Sequence, residues 1–219
     1  MKIKLLLIIL LIISCFNVSA QEARFVELTG NVEIKLSQND EWQPASAGGL
    51  IGKESVISTG IRSSAVISVG ASTLTVTALT MLTLEELIQQ DGTEEAILFL
   101  RTGRIRADVT PPTGQRAEFT VRSPTTTASV RGTSFSFNGR RLYVHSGRVS
   151  LVNNSGQKVY VNTNQRSYAD AGRHQRLVLP FEAESAGIRP TFSDLENTGS
   201  QRDNPHRQLP IISISLDWI

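Results

Sequence analysis

The side chains that most often carry catalysis or bind metals are few and scattered in this chain. Its 219 residues include one cysteine, Cys15, and three histidines, His145, His174 and His206. None of the histidines has a second histidine or a carboxylate at a metal-binding spacing, so a multi-ligand zinc site is nearly impossible. The histidines are therefore interpreted as surface or hairpin residues.

Paired carboxylates occur twice, as Glu85-Glu86 and Glu94-Glu95. Both pairs flank a polar turn, and a solvated face explains them better than an acid–base pair does. The sequence contains no Gly-x-Ser-x-Gly, no phosphate-binding loop and no His-Glu-x-x-His. It therefore predicts a protein that is not an enzyme and uses no cofactor.

The charges nearly cancel, because 22 Lys and Arg stand against 20 Asp and Glu, a formal net charge of +2. Such a chain has no bulk electrostatic reason to bind nucleic acid or an anionic membrane surface. Arginines nevertheless concentrate in its middle. They fit an anionic envelope polymer and scattered solubilising charges equally well. These arginines are Arg101, Arg104, Arg106, Arg116, Arg122, Arg131, Arg140, Arg141 and Arg148.

The first twenty residues have the pattern of a secretory signal peptide. Lys2 and Lys4 precede an apolar run, and Val18-Ser19-Ala20 places small residues before Gln21. The run is well short of the ~20 residues that span a bilayer, and we expect no transmembrane helix in the mature chain. The predicted location is periplasmic or secreted. As an alternative, Cys15 ends a lipobox-like segment and would be lipidated.

The body of the chain predicts an all-β fold, because short runs rich in Val, Ile and Thr alternate with Gly, Asn or Ser from residue 24 to residue 171. A sandwich, a barrel and a β-helix all fit this pattern, and only Leu79–Gln90 could be helical. Four glycine turns precede strands at Gly30, Gly60, Gly103 and Gly147. Their unequal spacing argues against a regular solenoid.

Two hairpins can be worked out further. Asn138-Gly139 favours a type I′ turn in which Phe135 faces Leu142 and Thr133 faces Val144. One face of this pair is then apolar and the other polar. Ser155-Gly156 predicts a second hairpin, whose apolar residues on both faces suggest that it is covered on both sides.

The predicted organisation is a signal peptide (1–20), one β domain (21–178), a mostly disordered linker (179–208) and a terminal strand (209–219). The linker is rich in Ser, Asn, Arg, Pro and Gly. In the last segment, Ile212, Ile214, Leu216 and Trp218 alternate with polar residues. This strand would pair with an open edge of the domain or extend the sheet of a partner.

The stretch from residue 24 to residue 171 resembles the FecR domain, a bacterial periplasmic domain. The most specific segments are Phe119–Pro124, Ala128–Phe135, which contains Val-Arg-Gly-Thr-x-Phe, and Val144–Val149. The signature residues implied by the resemblance are interpreted as structural, with Arg131 tying adjacent strands and Gly132 allowing a bulge. They are Pro124, Val130, Arg131, Gly132, Thr133, Phe135, Gly147 and Val149.

The resemblance implies an outward-facing domain of a regulator that also has a cytoplasmic segment binding a sigma factor and a membrane span. Here a leader stands in that place, so we expect a free-standing exported FecR-domain protein. The first hypothesis is a non-catalytic envelope scaffold or interaction module, whose partner is an envelope protein such as an outer-membrane protein. The second is a periplasmic sensor of a sigma/anti-sigma system with a separate transmembrane partner. A weaker third is the binding of an envelope glycan.

Overall fold

The computed structural model describes residues 23–170 and 176–182, which form eighteen strands and no helix. The strands are β1 (Ala23–Thr29), β2 (Val32–Lys35), β3 (Gln43–Pro44), β4 (Leu50–Ile51), β5 (Val56–Thr59), β6 (Ser64–Val69), β7 (Ser72–Val76), β8 (Met81–Gln90), β9 (Thr93–Thr102), β10 (Ile105–Asp108), β11 (Arg116–Arg122), β12 (Thr126–Val130), β13 (Ser134–Phe137), β14 (Arg141–Ser146), β15 (Arg148–Asn153), β16 (Lys158–Asn162), β17 (Gln165–Tyr168) and β18 (Phe181–Glu182).

These strands make two nine-stranded sheets. Sheet 1 has the order β18-β17-β14-β13-β10-β7-β6-β1-β4, and sheet 2 has the order β16-β15-β12-β11-β9-β8-β5-β2-β3. Neighbours are antiparallel except β9 and β11. Both orders advance together along the chain, because the polypeptide crosses from one sheet to the other after every one or two strands. The predicted all-β fold is confirmed as a sandwich that is wound progressively.

The core lies between the two sheets. Strands such as β6 and β11 bury every second residue, as a sheet with one covered face requires. Phe25 and Phe135 of sheet 1 and Phe119 of sheet 2 are at most 2% exposed and belong to one apolar cluster. Burial of a side chain of this size contributes about 1.5–3 kcal/mol.

The crossing turns, which we define as the segments that carry the chain between the sheets, bond to one another. At one end of the sandwich the Gly60 amide donates to the Asn31 carbonyl (2.9 Å) and the Leu79 amide to the Gly60 carbonyl (3.2 Å). The Thr77 amide donates to the Arg104 carbonyl (3.1 Å) there as well. The glycine turns at Gly30, Gly60 and Gly103 are therefore sheet-to-sheet crossings that stack into a ladder at this end in spite of their unequal spacing, whereas the Gly147 crossing lies at the opposite end.

The segment Leu79–Gln90, the one place where the sequence allowed a helix, is extended from Met81 onward as β8. It pairs with β9 along its length, with two bulges. Thr80 and Thr83 are buried, and their β-branched side chains favour the extended backbone.

The register predicted for the first hairpin is wrong by one residue on each strand. Phe135 faces Val144 and Phe137 faces Leu142. The turn is centred on Gly139-Arg140, and of these two residues only Gly139 has a positive φ (86°). The Asn138 carboxamide oxygen accepts from the Arg140 and Arg141 amides (3.2 and 2.7 Å), which places Asn138 before the turn instead of inside it. The predicted faces are nevertheless confirmed: Thr133, Phe135, Phe137, Leu142 and Val144 are buried.

The second hairpin joins β15 to β16 through Ser155-Gly156, as predicted. Its outer face is open, because Tyr160 is 56% exposed, and the expected cover on both sides is therefore wrong. The predicted leader and the terminal strand lie outside the described residues. Of the predicted linker, residues 179–182 are described, and Phe181–Glu182 pair with β17.

A cluster of hydroxyl groups joins the sheets near the first hairpin. The Gly139 carbonyl of sheet 1 lies 2.6, 2.7 and 2.8 Å from the hydroxyls of Ser123, Thr125 and Thr126. The Ser123 hydroxyl is also 2.8 Å from the Thr126 carbonyl. A carbonyl has two lone pairs and a hydroxyl one proton. The cluster is satisfied when Ser123 donates to Thr126 and the two threonines donate to Gly139.

We expect Thr126→Val to lower the free energy of unfolding by about 1–3 kcal/mol, because it removes one donor from a buried carbonyl. Thr127→Val is the matched control, since Thr127 is the next residue of β12 and lies half-buried on the outer face. Urea unfolding of both variants measures the difference. Equal stability of the two variants would contradict the assignment of the Thr126 hydroxyl as a donor to the Gly139 carbonyl.

Gly103→Ala should cost roughly 1–3 kcal/mol more than Gly114→Ala. Both glycines have positive φ (91° and 74°), so the backbone strain is shared. A Cβ at position 103 would stand 2.4 Å from the Thr80 Cα, whereas one at position 114 would meet nothing within 4 Å. Thermal unfolding of the two variants checks this, and similar midpoints would show that the ladder of crossing turns tolerates expansion.

Candidate functional site

Three residues of the FecR-like signature, Gly132, Thr133 and Gly147, meet at two neighbouring crossing turns. Gly132 (φ 82°) and Thr133 carry the chain from β12 to β13, and Gly147 (φ 85°) carries it from β14 to β15. The Thr133 hydroxyl donates to the Arg148 carbonyl at 3.1 Å. A Cβ on Gly147 would stand 2.9 Å from that hydroxyl oxygen. The two signature segments thus pack against each other.

The other signature residues lie along the neighbouring strands, and Pro124 stands at the opposite end of β12 from this contact. Val130 and Val149 face each other across β12 and β15, and both are buried, as is Phe135. Pro124 lies exposed in the turn between β11 and β12, where its carbonyl accepts from the Asn154 side chain at 2.8 Å. Arg131 is the outward-facing member, with a side chain that is 75% exposed and paired with Glu118 of β11.

Beside this contact lies a depression of about 990 Å³ on the outer face of sheet 2. Its floor is a row of hydroxyl side chains that crosses β11, β12, β15 and β16. Thr120 faces Ser129, Ser129 faces Ser150, and Ser150 faces Tyr160, which ends the row. The hydroxyl oxygens of Thr120 and Ser129 are 3.1 Å apart. We call this row and the longer side chains beside it the trough.

Longer, charged side chains form the two walls of the trough. The strand register places Arg131 and Arg148 on one side of the row and Lys158 on the other, and Glu118, the acidic residue of the lining, lies on the side of the arginines. Arg148 Nε donates to the Asn162 side chain at 2.8 Å, which fixes the guanidinium over the edge strand β16. Sequence reasoning missed this site because its residues are neighbours only through strand register.

A second polar cluster lies on the outer face of sheet 1. The Ser136 hydroxyl and His145 Nε2 are 2.8 Å apart. Burial lowers the pKa of His145, the charge of Arg106 lowers it further, and Asp108 partly opposes them. Asp108 is bonded to a different serine, Ser134, and lies 3.5 Å from Arg106 Nε. The Asp108 carboxylate therefore contacts Ser134 and Arg106 instead of Ser136, the serine that contacts His145.

The carboxylate pairs do not make an acid–base site. Glu85 contacts Arg122 (3.1 Å) and Glu86 lies 3.8 Å from Lys53. Glu94 is 2% exposed, and its carboxylate accepts from the Ala71 amide (3.3 Å). Glu95 is exposed, so the two residues of the second pair point to opposite sides of β9.

Cys15, His174 and His206 lie outside the part of the chain that the structure describes. Within residues 23–170 and 176–182, no three His, Cys, Asp or Glu side chains are grouped closely enough to hold a metal ion. Among these same residues, no helix has the length and the apolar character that crossing a bilayer requires.

A family model and two solved structures each match part of this chain. Two crystal structures of a protein from Parabacteroides distasonis, described as a candidate anti-sigma factor, are similar to the chain at 15% identity, with TM-scores of 0.49 and 0.48. Each match covers 58% of this chain, which spans 59% of the other. No curated protein matches significantly. The family model described as FecR protein matches residues 55–155, and this part of the chain is therefore similar to a FecR domain.

Proposed function

We propose that the chain is the extracytoplasmic sensor component of a sigma/anti-sigma signalling system and works by recognising a protein partner. The FecR match supports a regulatory role for the domain. The sequence also predicted a scaffold role, which would involve protein recognition as well. Nothing in the described residues favours a scaffold over a signalling component.

The observation that carries the recognition step is a pair of exposed apolar side chains on adjacent crossing turns. Ile61 is 77% exposed and Leu79 is 62% exposed. The two turns are held together, because the Leu79 amide donates to the carbonyl of Gly60, the residue before Ile61. Both residues lie within the FecR match. Exposed apolar side chains that stand together on a protein surface mark candidate interaction sites.

Leu79 also has a left-handed backbone, with φ of 56°. A β-carbon in this region costs about 1–3 kcal/mol, and glycine would avoid that cost. Because the Leu79 side chain is largely exposed, its burial offsets little of this backbone cost. A strained, solvent-facing leucine therefore supports selection for a contact with another molecule.

The proposal places the domain outside the cytoplasm, in the periplasm or secreted. The leader pattern of Met1–Ala20 supports export, and lipidation at Cys15 remains the competing route. The proposed recognition step requires no catalysis. A separate membrane-spanning protein would carry the signal to the sigma factor.

We expect Leu79→Gly to preserve or raise stability, because it relieves the left-handed strain, while it weakens partner binding about tenfold, the effect of a typical interface anchor. Ile61→Asp should weaken binding by a similar factor. Leu50→Asp is the matched control, since Leu50 is 53% exposed on the edge strand β4. Site-specific photocrosslinking at position 61 in the intact cell identifies the partner, and titration with that partner measures affinity.

The signalling claim has its own readout. Deletion of the gene should change the transcripts that depend on one sigma factor, and the Ile61→Asp variant should reproduce that change while Leu50→Asp complements the deletion. If the deletion leaves every sigma-dependent transcript unaltered, the signalling proposal fails, even where crosslinking finds a protein partner.

A further inference from the structure

The trough on sheet 2 has features that protein recognition at Ile61 and Leu79 does not use. It runs across four strands, and its floor of Thr120, Ser129 and Ser150 ends at the exposed ring of Tyr160. From this geometry we propose that the trough binds a linear anionic polysaccharide. The proposal is independent of the signalling function.

The floor matches the chemistry of sugars. Each hydroxyl can donate one hydrogen bond and accept two, as the hydroxyls of a sugar do. The side chains are short, so a chain of rings can approach the sheet between the taller walls. Each of the three floor residues is partly exposed to solvent. The polymer would lie across the strands and use side chains, so no backbone edge is needed.

The walls determine the charge of the ligand. Three cationic side chains, Arg131, Arg148 and Lys158, stand against the single carboxylate of Glu118 in the lining. Arg148 uses Nε for Asn162, and a guanidinium has five N–H donors, so it retains donors for a carboxylate or a phosphate. Positive charge on both sides of a hydroxyl floor favours a glycan with acidic substituents over a neutral one.

Tyr160 fixes the end of the trough. Its ring is 56% exposed on the edge strand, and Lys158 Nζ lies 5.2 Å from the ring centroid. An aromatic face offers apolar area to the C–H face of a sugar ring, with the adjacent ammonium group available to an acidic substituent. An extended peptide would instead be expected to pair with the backbone of β16.

The test uses the full chain and oligogalacturonate, a linear polyuronate, as the probe in calorimetric titration. Reversal of both wall arginines, Arg131→Glu with Arg148→Glu, should weaken binding at least tenfold. Arg141→Glu is the control, because Arg141 lies on the outer face of sheet 1. Tyr160→Ala should weaken binding severalfold, whereas Tyr168→Ala, which removes a 36% exposed tyrosine of sheet 1, should leave it unchanged. Circular dichroism confirms that each variant is folded.

Two further probes separate the ligand classes. Maltohexaose, which is neutral, should bind at least tenfold more weakly than the polyuronate. Single-stranded DNA of equal charge should also bind more weakly, because its bases do not match a hydroxyl floor. Equal binding of DNA with the same response to the variants would overturn the proposal in favour of general polyanion binding. Absence of polyuronate binding, or equal effects of the arginine reversal and Arg141→Glu, would overturn it outright.

Discussion

The fold depends on one constraint: a chain that alternates between two sheets must make crossing turns that fit against each other. Such turns bring backbone against backbone, so a side chain at the contact would displace the neighbouring turn. Gly103 against Thr80, and Gly147 against Thr133, show how little space remains. The strands between the crossings can vary in length and composition, because the bonds between turns hold the two sheets in step.

This constraint gives the FecR-like signature a physical meaning. Val-Arg-Gly-Thr-x-Phe and Val-x-x-Gly-x-Val lie at successive crossings, and their glycines and the threonine between them form one contact. The valines and the phenylalanine of these motifs are buried in the strands on either side of this contact. Arg131 is different, because its side chain leaves the contact and reaches the wall of the trough. A motif that shapes the backbone thus also places a charged group on a surface.

Alternation in the sequence was sufficient to predict the all-β class and the two faces of the first hairpin, because burial depends only on the parity of a position. Register was not predictable to the same degree. Asn138-Gly139 and Gly139-Arg140 are both acceptable as the central pair of the turn. A shift of the pairing by one residue on each strand leaves the buried and exposed faces unchanged, but it gives every residue a different cross-strand partner. The trough depends entirely on register: Thr120, Ser129, Ser150 and Tyr160 are far apart in sequence and become one row only after four strands are aligned. The Ser136–His145 contact was missed for the same reason.

The two proposed surfaces belong to different parts of the same winding, and neither uses a residue of the other. Ile61 and Leu79 lie on early crossings, whereas the trough is built on β11, β12, β15 and β16. The sheet that joins them contains β9 and β11, the parallel pair at the centre of sheet 2. The packed crossings hold both surfaces in fixed positions on one framework. Because the surfaces share no residue, the proposed protein contact at Ile61 and Leu79 and the proposed polymer contact in the trough do not compete for a side chain.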